Sequence, residues 1–178
     1  GALLHADLVA GLPGESWKSL ADGFNRLVAL NPHEIQVGIL MRLKGAPISR
    51  HTVPHRMVFS QQAPYEILQT DLMDFVQLQR IKRFARYFDL YYNSGNFPES
   101  MPLLWHARPS AFAAFMALSD SLWETTHKTH ELSLAHLARH LYTFVVTARV
   151  GDEIAIGQAI KHDFHRIPGR KDKLELPC

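Results

Sequence analysis

The sequence predicts an α/β opening followed by a mainly helical remainder. Two patterns predict it. Residues 3–41 run as apolar segment, glycine turn, amphipathic segment and second apolar segment, the order of a strand–helix–strand unit. Beyond Pro47 the pattern changes, and from about residue 73 helical spacing dominates and lasts to about residue 164. Composition agrees: hydrophobic residues are 47% and charged residues 20%, which suits a globular chain and excludes a disordered one.

Leu3 to Ala10 reads as a short buried strand stopped by Gly11. Gly11-Leu12-Pro13-Gly14 is turn chemistry: proline fixes φ, and either glycine takes φ > 0. Glu15 and Ser16 open a helix whose apolar face is Trp17, Leu20, Phe24, Leu27 and Val28, and Asn31-Pro32 ends it. Glu34 to Met41 is the second strand. Val37, Ile39 and Met41 share one side; Gln36, Gly38 and Leu40 share the other. A helix crossing between two strands makes them parallel, and such a unit needs further layers to cover both sheet faces.

Residues 48–72 are irregular, with two short strand candidates, Met57–Ser60 and Tyr65–Thr70, that suit a pair. Phe75, Leu78, Ile81, Phe84, Ala85, Phe88 and Tyr91 mark a long helix stopped at Asn93-Ser94-Gly95. Pro109-Ser110 starts the next, carrying Phe112, Phe115, Met116, Leu122 and Trp123. Leu132 to Val150 is a third, with Leu134, Leu137, Leu141, Phe144 and Val145 inward. Asp152 to Phe164 is a fourth. The expected division is an α/β piece over residues 1–50 and a helical piece over 51–178.

The 178 residues suit one domain, or one domain and part of another. A net charge of +2 is too weak to argue for nucleic acid, and the basic stretch from His162 to Lys173 reads as a solvated tail. Cys178 is the single cysteine, so no internal disulfide forms, and a cytoplasmic location is expected. No apolar run approaches the roughly 20 residues of a membrane helix. The chain opens with Gly1 and enters a strand almost at once, so the expectation is a piece of a longer protein whose N-terminal part is its first partner.

Asp7 is the first residue with chemical interest. A strand-end acid often only caps a helix or pairs with a base. Ligands of parallel α/β sheets, however, bind at the carboxyl ends of strands, where a carboxylate accepts ribose hydroxyls. Gly11 and Gly14 fit neither phosphate-loop nor dinucleotide spacing. Among 11 histidines, three pairs stand close: His127 and His130, His136 and His140, His162 and His165. The i, i+4 pair at 136 and 140 shares a helix face, and no third metal ligand is evident in sequence. The aromatics of RFARYFDLYYNSGNF, residues 83–97, sit at core spacing, although Tyr91, Tyr92 and Asn93 end the helix with polar tips that suit a face toward the α/β piece.

DLVAGLPGES resembles the D-L-I-x-G-L-P-G-E-T segment of radical SAM enzymes, where it forms the fifth strand and turn of a partial (β/α)6 TIM-like barrel. LMRLKGAPI, residues 40–48, resembles the end of the last barrel strand. VFSQQAPYEILQT and RYFDLYYNSGNF resemble a C-terminal domain of unknown function that follows the barrel in cobalamin-binding members. The resemblance implies the last strand–helix–strand of that barrel and then a helical accessory domain. It implies that Asp7 contacts the ribose of S-adenosylmethionine, that Gly11, Leu12 and Pro13 form the turn at the barrel mouth, and that Arg42 and Leu43, within Leu40–Lys44, lie near the adenine. It also implies a 4Fe-4S cluster in the parent protein and leaves cobalamin open. The C-x-x-x-C-x-x-C ligands of that cluster are absent, so no radical chemistry is expected of this chain alone. The rival expectation is a non-catalytic helical module for dimerisation or docking.

Overall fold

Strand β1 (His5–Ala10) and strand β2 (Glu34–Ile39) pair in parallel, joined by helix α1 (Trp17–Ala29), as the sequence predicts. The computed structural model describes residues 3–105, 108–149, 152–166 and 173–176. Cys178, Val150 and residues 167–172 of the basic stretch lie outside them.

Ser16 caps α1: its hydroxyl accepts the Ser19 N–H while the Ser19 side chain accepts the Ser16 N–H, which satisfies two otherwise orphaned donors. Leu20 and Phe24 bury the apolar face. Period-2 alternation does the rest. Ala6, Leu8 and Ala10 stand beside Ile35, Val37 and Ile39 on one face, and Leu8 reaches Gly23 of α1. His5, Asp7 and Val9 stand beside Glu34, Gln36 and Gly38 on the other.

Past β2 a short 3-10 turn (Pro47–His51) precedes an antiparallel pair, β3 (Val58–Phe59) and β4 (Ile67–Gln69), at the positions expected. This pair extends from β2: Met41 bridges Glu66, and the Ile67 N–H donates to the Leu40 carbonyl at 2.8 Å.

Helix α2 (Phe75–Phe88) continues as a π-helical turn (Asp89–Asn93) that ends at Ser94 and Gly95, as expected. Phe75, placed on its inward face by spacing, is 51% exposed, because it stands at the helix start. Helix α3 (Ser100–Trp105) is additional to the sequence reading. Helices α4 (Ala111–Thr126), α5 (Leu134–Thr147) and α6 (Glu153–His165) follow, with side-chain caps from Ser110, Ser133 and Asp152.

The chain divides into two compact units, Gly1–Ala85 and Arg86–Cys178, with the division inside α2. Segments that follow the strand–helix–strand pack onto it within the first unit. Phe84 meets Phe24 edge-to-face at 5.0 Å, and the Arg80 guanidinium lies 5.0 Å over the Trp17 ring. In the second unit the core is aromatic. Tyr91 is wholly buried against Phe97 and Phe115, and its hydroxyl donates to the Leu137 carbonyl at 3.0 Å. Tyr92 stacks on Phe88 at 4.9 Å. Both tyrosines pack within the helical unit. Among the described residues no helix is long and apolar enough to cross a membrane.

Candidate functional site

The open sheet face and carboxyl edge of β1 and β2 gather the residues singled out in sequence. Asp7 is exposed beside exposed Gln36, and among the described residues its carboxylate makes no hydrogen bond or ion pair. On the same face, no described residue comes within 4 Å of where a side chain at Gly38 would begin. A helix covers one side of this parallel pair, and the other carries a polar row whose centre is a free carboxylate.

The turn after β1 is built by packing. Gly11 is buried at φ +90°, and a Cβ there would stand 2.6 Å from Ile67 Cγ2. Its N–H donates to Glu15 Oε2 at 3.1 Å. Burial pushes the Glu15 carboxyl above its ordinary range, against the pull of hydrogen bonds from the Gly11 and Leu12 amides. Leu12 is 40% exposed and Pro13 half-buried. Gly14, at φ +78°, has only His55 Cε1 near its absent side chain, at 3.9 Å. His55 Nδ1 in turn lies 3.6 Å from Asp71 Oδ2.

Past the end of β2 a groove of about 570 Å³ opens, lined by Arg42 to Pro47, Ser49 and Tyr65. Its shape follows from the chain path: the Arg42 N–H donates to the Tyr65 carbonyl at 3.0 Å, and Gly45 turns at φ +78°. The Arg42 guanidinium lies 5.1 Å over the Phe59 ring. Neither Arg42 nor Lys44 has an ion pair among the described residues, so the groove presents positive charge. The structure thus brings Arg42 and Leu43 into one groove. Asp7, Gly11, Leu12 and Pro13 do not line it. Glu15 and Tyr65 were not singled out as site residues in the sequence reading; an acid directly after a glycine turn was the signal for the first.

The i, i+4 histidines lie on α5. The Nε2 atoms of His136 and His140 are both buried without a hydrogen-bond partner among the described residues. Burial and the neighbouring His136 hold the His140 imidazole down to about 4, against the pull of the Leu118 carbonyl, so it is neutral near pH 7. Among the described residues no third metal ligand joins this pair. The cysteine count does not fit an iron–sulfur cluster: Cys178 is the only thiol.

The fold therefore defines an α/β unit with an exposed, polar sheet face, followed by a helical unit. Residues 54–175 match a family of proteins of unknown function, DUF4080, and the chain belongs to that family. The match begins after the 3-10 turn and leaves β1, α1 and β2 outside it. No curated protein and no solved structure matches the chain.

Proposed function

We propose that this chain is the end of a radical SAM barrel joined to its helical accessory domain, and that it supplies one wall of a S-adenosylmethionine site in a longer protein. The observation that carries the reading is Asp7. It stands exposed on the polar face of a parallel strand pair, without a partner among the described residues. A carboxylate so placed accepts hydrogen bonds from two neighbouring ribose hydroxyls. Parallel strands buried on one face only are rare, since crossover helices and further strands normally cover both. Further barrel strands beside β1 and β2 would enclose the polar face.

In this reading the chain's own residues bind and orient. Asp7 holds the ribose, and the Gly11–Gly14 turn sets the strand end that carries it. The groove at Arg42 and Leu43 flanks the adenine. S-adenosylmethionine supplies the radical chemistry when it is bound in the complete protein; the cluster ligands would come from outside this chain. The longer protein, purified without oxygen and reduced with dithionite, is expected to convert S-adenosylmethionine to 5′-deoxyadenosine. A preparation with its full iron complement that forms none contradicts the reading.

A further inference from the structure

Helix α6 sets two adjacent residues, His162 and Asp163, against the start of α3. Asp163 is wholly buried. Its Oδ2 accepts the Ser100 N–H at 2.8 Å and the Ser100 hydroxyl at 2.6 Å, and both oxygens share the Glu99 N–H at 3.2 Å. Beside it the Glu99 Oε1 and His162 Nδ1 lie 2.8 Å apart, on side chains 52% and 64% exposed. One ligand atom from each of the three residues lies within 4.8 Å of the others.

The hydrogen bonds fix the position of Asp163 and offset part of the cost of burying its charge. All its partners are neutral. Among the described residues no lysine or arginine pairs with it or with Glu99, and the guanidinium of Arg166 donates to the Gly95 carbonyl. His162 carries charge only when protonated. Two carboxylates thus converge, one wholly buried, with no permanent counter-charge among the described residues. Buried charge is costly unless it is paired or coordinates a metal.

The lone pairs are available. Among the described residues Oδ1 of Asp163 receives only a share of one long hydrogen bond and keeps a lone pair. Unprotonated Nδ1 offers another, and Glu99 a third. The Ser100 and Glu99 donors hold the Asp163 carboxylate in orientation, as second-layer groups do around metals. One imidazole and two carboxylates suit a divalent first-row cation such as zinc or manganese rather than a thiophilic ion. Exposure of Glu99 and His162 leaves room for water in a remaining position.

We propose that Glu99, His162 and Asp163 form a binding site for a divalent transition-metal cation that ties α6 to the beginning of α3. It is independent of the S-adenosylmethionine reading. The test is calorimetric titration of the chelator-treated, untagged chain with Zn²⁺. Glu99→Gln and His162→Gln serve as variants, because both side chains are exposed and the fold does not depend on them. Circular dichroism checks that. The expected result is one site per chain that each variant weakens at least tenfold, while His136→Gln leaves it unchanged. Absence of binding to the unaltered chain overturns the proposal. So does binding that both folded variants retain, or that His136→Gln abolishes.

Discussion

Replacing Gly11 by alanine tests why the turn after β1 carries glycine. Two costs are readable. At φ +90° an L-residue is strained by about 1–2 kcal/mol. The added Cβ also meets Ile67 Cγ2 at 2.6 Å, and Ile67 is 1% exposed, so it has little room to yield. Overpacking of that kind costs about 1–3 kcal/mol. The sum is about 2–5 kcal/mol. Gly14→Ala is the internal control. It has a similar φ of +78° but no atom nearer than 3.9 Å, so only the backbone cost of about 1–2 kcal/mol applies. Urea unfolding supplies the difference, and hydrogen exchange in β1 and α1 locates it within the first unit. Ile67→Ala removes the colliding methyl, so the double variant Gly11→Ala/Ile67→Ala is less destabilised than the sum of its parts. Equal losses at Gly11 and Gly14, together with an additive double variant, would refute the packing explanation.

Removing the Tyr91 hydroxyl with Tyr91→Phe leaves the Leu137 carbonyl without this donor inside the helical core, at an expected cost of about 1–2 kcal/mol in urea unfolding. A neutral result would mean that the hydrogen bond contributes nothing net. The His140 imidazole, held down to about 4 in the folded chain, gives a pH signature. Its unfolded value is near 6.5, so between these limits the unfolded chain takes up a proton that the folded chain refuses. Stability therefore falls as pH drops from 6.5 toward 4, by about 1–2 kcal/mol after solvent screening is allowed for. His140→Gln should flatten that part of the stability–pH curve; an unchanged slope would remove His140 as its source.

Sequence periodicity carried the strand–helix–strand, the β3–β4 pair and four of the helices, because each rests on local alternation and local caps such as Ser16, Ser110 and Asp152. Helix α3 escaped because six residues, SMPLLW, are too few for a period to show. Phe84 on Phe24 and Arg80 over Trp17 were not legible because they join segments far apart in sequence. The glycine turn was legible as a turn, but its dependence on Ile67 was not. Asp7 could be assigned to the face opposite Ala6 and Leu8 by alternation alone. The trio of Glu99, His162 and Asp163 had no such signal: a buried carboxylate without a counter-charge is visible only once α6 lies on α3.

The central claim is that Asp7 faces a ribose. Equilibrium dialysis of S-adenosylmethionine against the longer protein tests it most directly, comparing the unaltered protein with Asp7→Ala and with Asp22→Ala, an exposed acid on α1. Loss of a charge-assisted hydrogen bond worth about 1.5–3 kcal/mol predicts roughly 10- to 100-fold weaker binding for Asp7→Ala and none for Asp22→Ala. Equal affinity in all three proteins would contradict the account.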